Sequence, residues 1–172
     1  MGRRLRSLSA DQTRLMGEKI GKRLRPGDVL ALTGVLGAGK TCLAQGIARG
    51  LGLREQEVVS PTYTLIHELS GPVRLFHIDL YRIEHEEDLE HIGFYDVFDG
   101  ASVTLIEWGD RFPGALPDAY LQIDLARQGD NDDIRDVRLL PRGDHYEELA
   151  GELEAVMLPS LSQGGSGPPD DS

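Results

Sequence analysis

The chain has 172 residues and a net charge of −11, from 18 Lys and Arg against 29 Asp and Glu, with 40% hydrophobic residues. This is the size of one domain with enough apolar content for a core, and the acidic balance disfavours a stand-alone nucleic-acid binder, because phosphate contacts need a positive face. No run of 18 apolar residues occurs, the Arg-rich start from Met1 to Ser7 has no apolar stretch behind it, and Cys42 is the single cysteine, so a spanning helix, a secretory signal and an internal disulfide are excluded and the cytoplasm is the expected compartment.

Residues 1–25 are basic, with eight bases and two acids. Ser9 followed by Gln12 fits a capping box and predicts a helix from about Ala10, with Leu15, Met16, Ile20 and Leu24 as its apolar stripe and Pro26-Gly27 as its stop. Val29 to Thr33 is a continuous apolar run, the pattern of a strand buried on both faces in a parallel sheet. A Gly-rich turn leads to a helix from Lys40 to Leu51. Strands are predicted at Val58-Val59, Thr62 to Leu69 and Val73 to Leu80, with a turn at Ser70-Gly71-Pro72 and a charged, aromatic cluster at Asp79-Leu80-Tyr81-Arg82.

Glu86 to His91 reads as a short helix inside an acidic stretch, 83–100, which carries seven acids and no Lys or Arg. Such a stretch is a solvated face or a surface that steers a basic partner. Val103 to Ile106 is a second buried strand, ending at Glu107-Trp108. Strands at Tyr120 to Ala126 and Arg135 to Leu140 flank a loop rich in Asp, and His145 to Met157 forms an amphipathic helix with Tyr146, Leu149, Leu153 and Val156 or Met157 inward. One domain, residues 1–158, is expected, followed by a disordered Ser-Gly-Pro-Asp tail, 159–172.

The chemistry concentrates at 34–41, Gly34-Val35-Leu36-Gly37-Ala38-Gly39-Lys40-Thr41. This is G-x-x-x-x-G-K-[ST] between a buried strand and a helix, the setting a phosphate-binding P-loop requires. The glycines let successive N–H groups converge, and the helix N-terminus adds partial positive charge. Lys40 is expected on the β- and γ-phosphates and Thr41 on Mg²⁺. Cys42, on the first helical turn, is a small helix residue or a thiol whose reaction would block the nucleotide. A P-loop also needs an acid at a neighbouring strand end. Asp79 and Glu107 both qualify, and spacing does not rank them. Ser60 to Thr64 lies where GTPases carry a γ-phosphate-sensing loop, and Trp108 is a core or rim aromatic. The five histidines show no metal-ligand spacing.

Gly-Val-Leu-Gly-Ala-Gly-Lys-Thr, Ser-Pro-Thr-Tyr-Thr-Leu, His-Ile-Asp-Leu-Tyr-Arg, Asp-Leu-Glu-His-Ile-Gly and Ile-Glu-Trp occur in that order. Together they resemble the bacterial TsaE (YjeE) ATPase family over about Leu8 to Leu140. The resemblance implies an α/β fold, a P-loop NTPase-like three-layer sandwich with a largely parallel central sheet and flanking helices. It implies ATP and Mg²⁺ as cofactors and slow ATP hydrolysis in the making of threonylcarbamoyladenosine at adenosine 37 of tRNAs reading ANN codons. The TsaD and TsaB proteins would be the partners that carry out the transfer, with no tight tRNA binding by this chain, which is expected to be a monomer when free.

Carried over by motif, Gly34 and Gly37 to Thr41 bind phosphate, Cys42 adjoins them, and Thr41 holds Mg²⁺. Glu107 resembles the family's metal-linked acid, Asp79 its Walker-B-like acid, and Thr62 a member of its switch-like loop. Trp108 would sit beside the nucleotide, Arg135 would contact it, and Asp11 to Thr13 are candidates for the adenine pocket. The family usually has an acid at the position of Val35 and Ser or Thr at that of Cys42. Neither departure touches Lys40 or Thr41, and Val35 bears on the hydrolysis rate. Two other readings use the same loop. A small-molecule kinase would need a basic lid, and Arg74, Arg82 and Arg111 are too dispersed to suggest one. A nucleotide-controlled binding module would not turn ATP over; a guanine-reading Asn-Lys-x-Asp is absent.

Overall fold

The computed structural model describes residues 2–59 and 65–161, the side chains of 159–161 excepted. Its elements are β1 (Arg3–Ser7), α1 (Ala10–Gly21), β2 (Val29–Thr33), α2 (Lys40–Gly50), β3 (Ile66–Leu69), β4 (Leu75–Asp79), α3 (Asp88–His91), β5 (Val103–Glu107), β6 (Tyr120–Gln128), β7 (Asn131–Arg142) and α4 (Asp144–Leu161), with short 3-10 turns between. The seven strands form one sheet in the order β1-β7-β6-β2-β5-β4-β3. The four central strands, β6, β2, β5 and β4, run parallel, and each edge is closed by antiparallel pairing. The fold is therefore the expected α/β arrangement, with its parallel part confined to the centre.

Every residue of β2 and β5 is buried, as strands covered on both faces require. One face packs against α1, α2 and α4 through Leu30, Leu32, Leu105, Ile20, Leu43 and Leu153. The other face is covered by α3 and short turns, through Ile78, Ile106, Leu89, Phe94 and Phe112.

The cap of α1 forms as its sequence dictates. Ser9 is extended, its Oγ accepts from the Gln12 N–H at 3.1 Å, and Gln12 Oε1 accepts from the Leu8 N–H at 2.8 Å. Other expectations need correction. Arg3–Ser7 is a strand, because its alternating Leu5 and Ser7 are buried while Arg4 and Arg6 face outward. Leu15 is exposed, and α1 ends at Gly21, four residues before the basic run does. Val58-Val59 is irregular chain after a 3-10 turn. The strand expected from Thr62 starts at Ile66, residues 62–64 lying outside the described residues. The Val73 strand begins at Leu75 and the Glu86 helix at Asp88.

The Asp-rich loop is not a loop. β6 and β7 continue through it as a long hairpin that pairs Arg127 with Arg135, and Gly129, at φ 58°, makes the turn. The acidic side chains of that run face solvent, at the end of the hairpin that projects past its neighbouring strands. The last helix runs past Met157 to Leu161, with Tyr146, Leu149, Leu153 and Met157 buried, so Met157 and not Val156 is the inward residue.

Helices α1 and α2 cross on glycines. A methyl group at Gly46 would lie 2.1 Å from the Arg14 carbonyl oxygen, and one at Gly17 would lie 2.4 Å from the Leu43 carbonyl oxygen. The obstructing atoms are backbone, which cannot rotate aside. A clash this short with backbone falls in the upper part of the about 1–3 kcal/mol that overpacking costs, leaving a net loss of about 1–2 kcal/mol after the ~1 kcal/mol that alanine gains over glycine in a helix. Gly46→Ala is expected to lower the melting temperature by roughly 2–8 °C, given about 2–4 °C per kcal/mol at this size. Circular dichroism on heating checks this, and an unchanged or higher midpoint would mean that the two helices can part without loss.

Candidate functional site

The candidate site lies where β2 ends. Its residues come from four places: the loop after β2, the first turn of α2, the ends of β4 and β5, and the β6–β7 hairpin. They enclose a cleft of 380 Å³ lined by Leu36, Gly37, Gly39, Lys40, Thr41, Cys42, Leu65, Asp79, Tyr81, Arg82, Glu107, Trp108 and Arg135. Of the residues singled out from sequence, Lys40, Thr41, Cys42, Asp79, Glu107, Trp108 and Arg135 thus converge. Gly34 and Ala38 belong to the loop itself, and Thr62 lies outside the described residues.

The loop has the backbone that its glycines permit. Gly34, Gly37 and Gly39 take φ of 136°, 75° and 103°, values that side-chain-bearing residues rarely adopt. At Gly37 a Cβ would also meet the Arg127 guanidinium at 2.6 Å. Val35 and Leu36, at the tip, are 64% and 73% exposed, so the departure at Val35 points a hydrocarbon into solvent.

Lys40 is buried, and its ammonium folds back on the loop. Nζ donates to the Gly34 oxygen at 2.6 Å and the Val35 oxygen at 2.9 Å, and lies 4.2 Å from the centre of the Trp108 ring. Burial lowers the Lys40 pKa from the ordinary lysine range, while Glu107, Asp79 and Asp110 pull it back up. From outside, Arg127 donates to the Gly37 oxygen through Nε at 3.2 Å and a terminal nitrogen at 3.1 Å, and Arg135 Nε donates to the Ala38 oxygen at 2.7 Å.

The two acids sit side by side, because parallel pairing of β4 and β5 puts Asp79 opposite Glu107. They differ in setting. Glu107 is 2% exposed and is hydrogen-bonded by His77 at 3.0 Å. Asp79 is half-buried and accepts from the Tyr81 N–H at 2.9 Å. Burial raises the Asp79 pKa, the Tyr81 hydrogen bond opposes the rise, and the neighbouring Glu107 charge adds to it.

Trp108 is the one non-glycine residue at positive φ, 62°, among the described residues. That conformation is unfavourable for a bulky side chain, so neighbouring contacts must hold it. They include the Trp108 N–H on the Leu32 oxygen at 2.9 Å, the Tyr81 ring at 5.0 Å and the Lys40 ammonium. Of the adenine candidates, Asp11 is paired with Arg14 and Gln12 caps α1, whereas Thr13 lines a separate small cavity with Ala10, Gly39, Cys42, Asp132, Asp133 and Arg135.

Arg127, Tyr81 and Arg82 were not singled out as site residues. Tyr81 and Arg82 had a signal in the charged, aromatic end of β4. Arg127 had none, because its contact spans 90 residues.

A buried strand, a glycine loop, an inward lysine on the next helix and two carboxylates on adjacent strand ends define a P-loop-type α/β protein. The family model described as threonylcarbamoyl adenosine biosynthesis protein TsaE matches residues 7–137, and the chain belongs to that family. A relative from Bacillus subtilis (strain 168), named tRNA threonylcarbamoyladenosine biosynthesis protein TsaE, is 40% identical over 149 residues, which is 86% of this chain and 91% of that protein. One of the same name from Treponema pallidum is 42% identical over 119 residues, 69% of this chain and 87% of the relative. The crystal structure of Bacillus subtilis YdiB superposes with a TM-score of 0.73 at 32% identity, covering 91% of this chain and 96% of that one. No helix among the described residues is long and apolar enough to cross a membrane.

The raised pKa of Asp79 has a consequence for stability. Between the ordinary aspartate range and the raised value, the folded state binds more protons than the unfolded state, so stability falls as pH rises through that window. Above the window the buried charge is a standing cost. Asp79→Asn keeps an oxygen for the Tyr81 N–H and removes the charge. Without Mg²⁺ and nucleotide, the variant is expected to melt higher than the wild type at pH 7, with the gap closing as pH falls into the ordinary aspartate range. Melting curves across pH check this, and a gap that is independent of pH would refute it.

Proposed function

We propose that this chain binds ATP with Mg²⁺ in the cleft between the P-loop and the Asp79–Glu107 pair, hydrolyses it slowly, and acts in tRNA threonylcarbamoyladenosine biosynthesis. The observation that carries the reading is the convergence of Lys40, Thr41, Asp79, Glu107 and Trp108 on one cleft in a chain of the TsaE family. The pathway is the one named in the relatives' own names.

The residues fit the group. Gly37 lies where a Cβ would collide with Arg127, and the glycine backbone turns the loop's carbonyl oxygens toward Lys40, Arg127 and Arg135. In this reading Gly34 and Gly37 to Thr41 bind the phosphates with Cys42 beside them, Thr41 and one or both acids hold Mg²⁺, and Thr62, Trp108 and Arg135 complete the nucleotide contacts. Bound Mg²⁺ would supply Lewis-acid stabilisation of phosphate charge. Lys40 is already desolvated, so its ammonium exchanges carbonyl oxygens for phosphate oxygens without first losing a full water shell. Asp79 and Glu107 sit where a carboxylate can hold the metal or its water.

Arg135 and Arg127 are engaged with loop carbonyls, so neither is poised as an arginine finger. Isolated P-loop proteins without a finger turn over at about 10⁻⁴ s⁻¹, and a finger supplied in trans adds roughly 10³–10⁵. Slow turnover alone and faster turnover with TsaD and TsaB are therefore expected, and equal rates with and without them would sink the partner-driven mechanism.

The test is capture of this chain by TsaD and TsaB, with and without ATP and Mg²⁺, repeated with Lys40→Ala. Capture that depends on ATP and is lost in the variant supports the reading. Absence of capture, with ATP still bound, would overturn the pathway role and turn attention to phosphoryl acceptors. The acidic stretch 83–100 is the proposed contact surface together with Ser60 to Thr64. Glu86 and Glu87 are exposed and Asp88 is partly so. Reversing these three charges is expected to weaken capture at least tenfold while leaving ATP affinity unchanged, measured by titration calorimetry. Unchanged capture would retire that surface.

A further inference from the structure

The segment His77-Ile78-Asp79 contributes its acid to the cleft, and the histidine is left unexplained. Of the five histidines, His77 alone is buried, with no exposed surface. It lies on the same face of β4 as Asp79, one pleat below it, on the side packed against α2. Its Nε2 is 3.0 Å from Glu107 Oε2, a diagonal contact across the β4–β5 pair. Its Nδ1 is buried and has no hydrogen-bond partner among the described residues.

These two facts select one arrangement. If Nε2 carried the lone pair, it would face the lone pairs of a carboxylate, and the N–H at Nδ1 would be a buried donor with nothing to bond. Both are costly. With the hydrogen on Nε2, Glu107 receives a hydrogen bond and Nδ1 is left as a bare acceptor, the lesser loss. Glu107 is 2% exposed, and His77 is the side chain that hydrogen-bonds its carboxylate among the described residues.

We infer that His77 is a positioning residue: with a hydrogen on Nε2, it fixes Oε2 of Glu107 and so aims the remaining carboxylate oxygen into the cleft. The assignment rests on the Mg²⁺–ATP reading of that cleft, and its role there is to hold Glu107 for the metal or its water. Partners that orient a ligating carboxylate typically matter by about 10–100-fold in metal affinity or activity when removed.

The test separates a donor at the Nε2 position from mere packing. His77→Gln carries its amide N–H near the place of Nε2, His77→Asn carries it near the place of Nδ1, and His77→Leu has none. The readout is the Mg²⁺ concentration at half-maximal binding of a fluorescent ATP analogue, with the melting temperature of each variant as a check on folding. The Gln variant is expected to stay within about threefold of wild type, and the Asn and Leu variants to need about 10–100-fold more Mg²⁺. Metal-free binding of the analogue should be unchanged in all three.

If Asn and Leu match wild type while wild type binds with Mg²⁺, the His77 assignment falls alone. If wild type itself shows no Mg²⁺-dependent binding, the reading of the cleft falls and this one with it. A measurement on the unaltered protein covers the case in which the variants fail to fold. Nitrogen-15 spectra of the imidazole ring, read for which nitrogen bears a hydrogen, should show one on Nε2, and a hydrogen on Nδ1 alone would overturn the assignment.

Discussion

The site depends on one constraint, the register of three parallel strands. Leu32 of β2 pairs with Glu107 of β5, and Glu107 pairs with Asp79 of β4. Parallel strands end at the same edge of a sheet, so these pairings put both acids level with the start of the P-loop, two residues past Leu32. The register is fixed by burial on both faces. A slip of one residue would exchange Leu105 and Ile106 between the two cores and carry Glu107 to the face away from Lys40. Residues 28 apart in sequence are thereby held as neighbours, and chemistry follows from packing.

The loop at that edge has its carbonyl oxygens drawn to cations on both sides. Its peptide groups have a positive end and a negative end, and the negative ends must be turned aside. Lys40 takes the oxygens of Gly34 and Val35 from within, while Arg127 and Arg135 take those of Gly37 and Ala38 from without. Three cations around one loop would repel each other less once a polyanion lay among them. Trp108 adds a polarisable face beneath the ammonium, held there by a backbone conformation that tryptophan does not favour on its own.

Much of this was legible in the sequence, and the rest was not for definite reasons. The P-loop, β2, β5 and α2 declare themselves through continuous apolar runs and glycine spacing, which are local signals. β1 was hidden because an edge strand with arginines on its open face reads as a basic tail. The Asp-rich turn of the β6–β7 hairpin was hidden because exposed strand positions tolerate acids as loops do. Leu15 satisfied a helical stripe by spacing yet faces outward, since α1 buries a narrow face built on Gly17 and Gly21. At the site, both acids could be named but not ranked, because His77 beneath Glu107 and the Tyr81 N–H at Asp79 are contacts that no spacing rule encodes. Arg127 was invisible for the same reason.

The uneven charge of the chain resolves once the fold is in place. The basic N-terminal segment pairs within the molecule: Arg3 with Glu147 and Glu154, Arg6 with Asp136, Arg14 with Asp11, and Lys22 with Glu18. Such pairs stabilise little at a solvated surface, but they neutralise part of the segment locally. The acidic segment is different. Glu84, Glu86, Glu87, Glu90 and Asp96 are exposed, and the stretch begins directly after Tyr81 and Arg82, which line the cleft. Along the chain the charge therefore changes sign over a few residues, from Arg82 at the cleft to the exposed carboxylates that follow it. A basic partner drawn to these carboxylates would come to rest near the chain segment that lines the cleft. Contact and nucleotide would then be felt at one edge of the sheet, the edge that the strand register sets.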